Sequence, residues 1–237
     1  MKAMILAAGE GTRLKPLTER LPKPLIEIGG VPIIEIVLNR LLKAGVDGVA
    51  INTWHLADKV ESFLNKAQSR LGVKIHVSRE EVLLDTGGGI KKAAAFLNDG
   101  RPFFVHNADV LSEIDLGALY RCHERSGALA TLAVSDRPGP RRLLFDASGR
   151  LVGREAAGEA PEPGVRALAF NGIHVLSPGI FNMLGETGAF SIIASYLRLA
   201  EKGENLLAYD VGSARWLDIG TPESLDRARK DWGQAAL

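Results

Sequence analysis

The sequence predicts an α/β sandwich, a mostly parallel sheet with helices on both faces and antiparallel strands added in its second half. Three observations carry this. Short apolar runs without alternation, the first at residues 3–7, end at glycine or polar residues, as strands buried on both faces do. Up to residue 106 these runs alternate with segments of helical spacing, and that order demands crossover connections between parallel strands. Beyond that point the alternation loosens, and turn-rich stretches such as SDRPGPRR separate short strands.

The elements follow in order. Residues 32–44, PIIEIVLNRLLKA, put Ile33, Ile36, Val37 and Leu41 at helical spacing, with Pro32 at the start and Gly45 at the end. A strand is expected at 48–52, a helix at 56–66, a strand at 73–77, a helix at 88–97 and a strand at 103–106, which runs into the polar cluster HNAD. The second half reads as a helix at 116–125, a strand at 130–134, and short strands at 143–146 and 151–152 around the turn DASGR. The Gly-, Pro- and Glu-rich segment 154–167 reads as a loop. A strand at 168–176, a helix at 191–202, strands at 206–209 and 214–217 and a helix from Pro222 complete the chain, with no internal repeat.

Composition narrows the function. The chain has 237 residues, 46% of them hydrophobic, enough to bury the core of one large domain. Lys and Arg number 29 against 28 for Asp and Glu, a net charge of +1, so bulk electrostatics give no reason to expect a nucleic acid or an anionic membrane as partner. Any basic site must be local. The single Cys122, read as a half-buried helix residue, excludes an internal disulfide framework, and no Cys/His group has zinc spacing. No apolar run is long enough for a membrane span or a signal-peptide core, and the expected location is the cytoplasm.

One stretch stands out, MILAAGEGTRLKPLTERLPKPL at residues 4–25. Gly9 and Gly11 follow the first strand, at the carboxyl edge of the sheet where ligands settle in open α/β folds. Glycine there lets backbone N–H groups approach an anion closely, and phosphate is the natural guest. A Walker loop would need Gly-Lys-Ser/Thr, whereas Gly11 is followed by Thr12 and Arg13; a dinucleotide fingerprint would need a small residue where Leu14 stands, and no helix begins before Pro32. What remains is a long polar loop stiffened by Pro16, Pro22 and Pro24. A glycine-rich loop alone is equally consistent with a solvated surface loop; the added cations and prolines favour a polyphosphate site, with Lys15 and Arg20 read as solvated.

The stretch LAAGEGTRLKPLTERLPKPL resembles the signature of the sugar nucleotidyltransferases, the nucleoside-diphosphate-sugar pyrophosphorylases, with L-A-A-G-x-G-T-R-L, P-L-T and P-K-P-L in order and at the family spacing. LDTGGGI, HNADV, FNGIHVLSP and WLDIGTPESL extend the resemblance over the whole chain, which is most similar in shape to the short N-acetylmuramate-1-phosphate uridylyltransferase type. The resemblance implies a Rossmann-like nucleotide-diphospho-sugar transferase fold as a single catalytic domain, residues 1–237, with a nucleotide-binding half at about 1–110 and a sugar-binding half at about 111–237. It implies a reaction between a nucleoside triphosphate and a sugar 1-phosphate that releases pyrophosphate, with Mg²⁺ as cofactor and a monomer or small homo-oligomer as the working form. Two other readings stand beside it: a cytidylyl-type transferase for a non-sugar phosphate, and a non-catalytic regulator that binds nucleotide sugars.

The resemblance also assigns roles. Arg13 grips the β- and γ-phosphates, Lys23 reaches the phosphates at the reacting centre, and Asp109 and Asp218 are the metal ligands. Arg forks suit pyrophosphate oxygens and a lysine point charge suits the reacting phosphorus. Taken singly, either aspartate reads as a turn or capping residue; as a pair they match the family's metal site, although Ala108 stands where the family commonly has glycine. Leu6, Ala7, Ala8, Gly9, Gly11, Thr12 and Asn107 are implied to contact the nucleotide. Asp85, Thr86, Gly87 and Gly88 are implied to hold the base, with Asp85 or Thr86 capping a helix. Glu80 falls where a side chain would read the base edge; a carboxylate accepts only, so it suits uracil, thymine or guanine, and an exposed glutamate is an equal alternative. With the resemblance to the uridylyltransferase type, UTP is the expected donor, and dTTP or GTP are the alternatives.

On the sugar side, Asn171 and Gly172 break an apolar strand, either opening room for a sugar ring or marking a bulge, and Arg142 is a further candidate contact. The Glu-Lys-Pro segment of many relatives is missing, so its phosphate-binding lysine has no counterpart here. His55, His106 and His174 read as structural, and Thr221 with Pro222 as a helix start.

Overall fold

The computed structural model describes residues 1–139, 141–156 and 160–232. The chain runs through β1 (Lys2–Leu6), β2 (Glu27–Ile28), β3 (Val31–Pro32), α1 (Ile33–Lys43), β4 (Gly48–Thr53), α2 (Ala57–Leu71), β5 (Lys74–Arg79), α3 (Asp85–Lys92), α4 (Ala94–Leu97), β6 (Phe103–Asn107) and β7 (Val110–Ser112). It continues through α5 (Leu116–Ser126), β8 (Ala130–Ser135), β9 (Leu143–Phe145), β10 (Leu151–Arg154), β11 (Arg166–Leu176), α6 (Ile180–Met183), α7 (Ile192–Glu201), β12 (Leu206–Asp210), β13 (Trp216–Asp218) and α8 (Pro222–Asp231).

The main sheet is the mixed one anticipated. β1 lies between β4 and β6, parallel to both, and β5 extends the parallel run beyond β4. β11 is antiparallel to β6 and β8 is antiparallel to β11, so β8 points the same way as β6. β12 pairs parallel with β8, while β9 and β10 form an antiparallel hairpin at the far edge. The carboxyl ends of β1, β4, β6 and β8 therefore share one edge.

Both faces of the central strands are covered. Along β1, Ala3 and Ile5 face a core shared with α1, α2, α5 and α8, through Val37, Leu41, Leu64, Leu119 and Leu225. Met4 faces the opposite core, shared with α3, α4, α6 and α7 through Ile90, Leu97, Ile180 and Tyr196. This two-sided cover is why β1 reads as a continuous apolar run, each large aliphatic contributing about 1.5–3 kcal/mol on burial.

Several boundaries differ from expectation for local reasons. α2 runs on to Leu71, where Gly72 at φ 64° supplies the left-handed cap. The helix expected at 88–97 begins at Asp85 and breaks at Ala93 into α3 and α4. The polar loop before α1 holds three single 3-10 turns, Thr12–Leu14, Leu17–Glu19 and Lys23–Leu25. β7 and α6, three and four residues long, are too short for a periodic signal. Residues 157–159 of the segment read as a loop lie outside the described residues, and β11 begins within that segment, at Arg166.

Candidate functional site

The polar loop leaves β1 through two cross-strand anchors. The N–H of Ala7 donates to Asn52 Oδ1 of β4 at 2.8 Å, and the N–H of Ala108, just beyond β6, donates to the carbonyl of Leu6 at 3.0 Å. Gly11 adopts φ 68°, and a Cβ there would stand 2.9 Å from Thr18 Cγ2, so only glycine fits the turn. Thr18 in turn donates its hydroxyl to the Gly11 carbonyl at 2.9 Å, and its own carbonyl is 2.7 Å from His55 Nε2. Lys59 holds the carbonyl of Arg20 at 2.5 Å. The loop is thus tied down along its length. Of its cations, Lys15 pairs with Glu10 in solvent and Arg20 is exposed, whereas Lys23 is turned inward and is 9% exposed.

Lys23 turns in to meet an acid. Its ammonium is ion-paired with the Asp109 carboxylate, which follows β6 at the shared carboxyl edge. A second, two-stranded sheet delivers the other acid: β7 and β13 pair antiparallel with Val110 opposite Asp218, and the N–H of Ile219 donates to the Asp109 carbonyl at 2.9 Å. Burial and the nearby Asp109 charge push the Asp218 carboxyl above its usual range, opposed by Lys23, Arg13 and Arg137. The Arg13 guanidinium and the Asp218 carboxylate both fill the space where a Cβ on Gly220 would stand. Arg13, Lys23, Asp109 and Asp218 accordingly surround one point.

A cleft opens beside that point. Its volume is about 230 Å³, with walls from Leu6, Ala8, Gly9, Asn52, Leu83, Asp85, Thr86, Asn107 and Asp109. A smaller hollow of about 40 Å³ between Gly9, Lys23, Pro24, Ala108 and Asp109 adjoins it, the two sharing Leu6, Gly9 and Asp109. The cleft is lined by apolar Leu6, Ala8 and Leu83, by the polar Asn52, Thr86 and Asn107 and by the acids Asp85 and Asp109, while Lys23 lines the adjoining hollow, a mix of apolar surface and a few polar groups that suits a small ligand.

Residues 2–234 match the nucleotidyl transferase family. The chain belongs to that family. It is 36% identical over 238 residues to the N-acetylmuramate alpha-1-phosphate uridylyltransferase of Neisseria meningitidis serogroup B (strain ATCC BAA-335 / MC58), covering 97% of each chain. It is 30% identical over 227 residues to the mannose-1-phosphate guanylyltransferase catalytic subunit beta of Xenopus tropicalis, covering 94% of this chain and 62% of that relative's length. Among solved structures, HddC from Yersinia pseudotuberculosis superposes with a TM-score of 0.77 at 25% identity, covering 98% of this chain and 99% of the other.

In this member of the family the residues expected around the base divide. Asp85 and Thr86 line the cleft, Asp85 at φ 55°. Neither caps α3, whose N-cap is Leu84 without a side-chain bond; Asp85 Oδ1 accepts the neighbouring Thr86 N–H, and Thr86 Oγ1 accepts the N–H of Ile192 at the start of α7. Gly87 and Gly88 do not line the cleft, because their N–H groups both reach the Phe190 carbonyl. A Cβ on Gly87 would enter the Phe190 ring, and one on Gly88 would press on the Gly188 carbonyl. The close approach these glycines permit is to the chain's own 188–190 segment.

Glu80 has a similar correction. It is 3% exposed, and its two oxygens accept from Asn52 Nδ2 at 2.8 Å and from the Leu84 N–H at 2.9 Å. It orients Asn52, and Asn52 is the residue that faces the cleft. Sequence reading missed Asn52 because it sits at the end of an apolar strand with no motif of its own.

The sugar-side candidates also separate. Arg142 makes a two-pronged pair with Glu155 at 2.6 and 2.9 Å and borders neither hollow. Gly172, at φ 73°, leaves room for the Asn107 amide, whose Nδ2 would stand 2.7 Å from a Cβ there, so that space is filled from within. The register of β11 against β8 shifts between Phe170 and His174, which is the bulge reading of the Asn171-Gly172 break. Asn171 is buried and accepts from Ser135 Oγ and Arg137 Nε at Oδ1, and from Trp216 Nε1 at its carbonyl. His106 and His174 are buried, with pKa values pushed down to about 4 and about 3 by burial. Arg137 and Gly220 were not anticipated. Their signals were a first cation beyond a buried strand and a glycine two residues after a candidate metal ligand.

The donor set fits a hard divalent cation. Two carboxylates, one in the turn between β6 and β7 and one at the end of β13, offer oxygen ligands only, and Mg²⁺ is commonly held by one or two carboxylates, completed by water and substrate phosphates. Among the described residues no cluster of three or more His, Cys, Asp or Glu side chains could hold a metal without such help. Nor is any described helix long and apolar enough to cross a membrane.

Proposed function

We propose that this nucleotidyl transferase joins a nucleoside triphosphate to a sugar 1-phosphate, giving a nucleoside-diphosphate sugar and pyrophosphate, with UTP the preferred donor and residues 1–110 and 111–237 as the donor and acceptor halves. The observation that carries the reading is the convergence of Arg13, Lys23, Asp109 and Asp218 beside the cleft. UTP is favoured because two relatives matched over 97% and 93% of their own length are uridylyltransferases.

The chemistry follows from charge. An oxygen of the sugar phosphate forms a bond to the α-phosphorus as the bond from that phosphorus to the bridging oxygen breaks, and the electron pair departs with pyrophosphate. Two polyanions must be held in contact while charge builds on the leaving group. Arg13 presents a planar fork to the leaving pyrophosphate. Lys23 carries three donors, so one can stay on Asp109 while the others reach phosphate oxygens. Asp109 and Asp218 would hold Mg²⁺, which supplies charge neutralisation on the phosphates when bound.

The test is pyrophosphate release by the purified chain from UTP, dTTP, GTP, CTP and ATP, each with N-acetylmuramic acid, mannose and glucose 1-phosphates and inositol 1-phosphate. The reading expects release only with a sugar 1-phosphate present and fastest with UTP. Preference for CTP with inositol 1-phosphate, or no release with any pair, would contradict it.

A further inference from the structure

The donor loop supplies cations for one polyanion, but the second substrate brings a phosphate of its own. Most arginines of the second half that sit near acids are paired with them: Arg142 with Glu155, Arg166 with Asp210, Arg198 with Glu186 and Arg215 with Glu113. Arg137 is different. Its guanidinium stacks on the Trp216 ring at 3.8 Å, Nε donates to Asn171 Oδ1 at 3.2 Å and Nη2 to the Phe170 carbonyl at 2.9 Å. Trp216 is fixed in turn, its Nε1 donating to the Asn171 carbonyl at 2.8 Å. No acid pairs with this guanidinium within salt-bridge distance among the described residues, and Nη1 keeps its donors. Arg137 is nevertheless the one cation of the second half whose charge acts on Asp218. A half-buried cation held rigid by a ring and two oxygens, with a free edge, is built to receive an anion.

Topology says which anion. β8 points the same way as β6, so Arg137, two residues past the end of β8, lies at the carboxyl edge that holds Asp109. One strand, β11, stands between β8 and β6, a lateral spacing of about 10 Å, and β8 runs further toward the carboxyl edge, with Ser135 opposite Ala169 where His106 of β6 is opposite Ile173. The cleft that takes the donor spans β1, β4 and β6, and Arg137 borders no part of it. Resting on the proposed reaction, an in-line displacement needs the entering oxygen opposite the leaving pyrophosphate. Arg137 and Arg13 reach Asp218 from different parts of the chain, Arg13 from the loop after β1 and Arg137 from the loop after β8, so each can serve a different phosphate.

We propose that Arg137, stacked on Trp216, binds the phosphate of the sugar 1-phosphate and fixes its attacking oxygen toward Asp109 and Asp218. It acts as the acceptor-phosphate cation of a second half whose lysines are Lys202, just past α7, and Lys230, in α8.

The experiment compares wild type, Arg137→Met, Arg137→Lys and Ser135→Ala, with Mg²⁺, UTP and the best sugar 1-phosphate of the panel. Ser135 shares Asn171 Oδ1 with Arg137, so it reports on any loss transmitted through Asn171 alone. Arg137→Met should raise KM for the sugar 1-phosphate at least 30-fold and leave KM for UTP within threefold; Arg137→Lys should recover part of the loss, and Ser135→Ala should change neither constant more than twofold. A rise in KM for UTP as large as that for the sugar phosphate, or an equal effect of Ser135→Ala, would overturn the assignment. A turnover-independent arm titrates inorganic phosphate against tryptophan fluorescence, with Trp216→Phe identifying the signal. The Trp216 signal should respond in wild type and not in Arg137→Met; equal responses would overturn the assignment whether or not any substrate pair reacts.

Discussion

Asp218 stands directly across the two-stranded β7–β13 ladder from Val110, and its carboxylate feels the charge of Asp109, the residue just before Val110. Burial and this like charge together make ionised Asp218 costly in the folded chain. Replacing it should therefore separate stability from activity. Asp218→Asn is expected to unfold at a higher urea concentration than wild type while turnover falls at least 100-fold. Asp109→Asn and Lys23→Ala should likewise lose at least 100-fold, and Asp109→Asn with Asp218→Asn should lose much less than the product of the single losses. Urea midpoints and kcat on the same preparations check this.

Gly220 shares its missing side-chain volume with Arg13 and Asp218. Gly220→Ala should push the guanidinium aside, raising KM for the triphosphate about tenfold or more with a small change in thermal midpoint. Steady-state kinetics with a fixed, saturating sugar phosphate would read it, and an unchanged KM would count against Arg13 as a phosphate grip.

Glu80 takes two donors, Asn52 Nδ2 and the Leu84 N–H. Glu80→Gln keeps the shape but turns an NH₂ toward one of them, so it should cost about 1–3 kcal/mol despite being isosteric. Because Asn52 loses its orientation, KM for the nucleotide should rise as well. Chemical denaturation of the variant, paired with nucleotide titration, distinguishes this positioning role from direct contact with the base, which would leave stability near wild type.

Three buried histidines set a pH limit. Burial lowers His106 and His123 to about 4 and His174 to about 3, against an unfolded value near 6.5. Well above pH 6.5 both states are neutral and stability is unaffected. As pH falls from there toward 4, the unfolded chain gains protons that the folded chain refuses, so stability is lost, by about 3 kcal/mol per histidine over the full interval. The urea midpoint should drop steadily from pH 7 to pH 5, and His174→Phe should flatten the slope. A midpoint constant over that range would mean the rings are not held neutral.

The two-sided sheet was legible because strands buried on both faces need unalternating apolar runs, which β1, β4 and β6 carry before their polar ends, and because α1 carried both spacing and end signals. The cationic loop was legible because its residue types are chemically improbable for a simple connection. What escaped was contact information. Nothing in GGG says whether the glycines approach a base or Phe190, and nothing in a glutamate says whether its partners are Asn52 and Leu84 or a ligand. Asn107 filling the space over Gly172, and Arg137 stacking on Trp216, join residues 65 and 79 positions apart, beyond any local spacing rule.

The most direct test follows the phosphorus itself. In a mixture of the chain, Mg²⁺, UTP and N-acetylmuramic acid 1-phosphate, ³¹P NMR should show the sugar monophosphate signal converting to a coupled pair of diphosphate signals, with pyrophosphate appearing in equal amount and neither change occurring with Lys23→Ala. A sugar monophosphate signal that stays unchanged while the triphosphate breaks down to inorganic phosphate would contradict nucleotidyl transfer at this site.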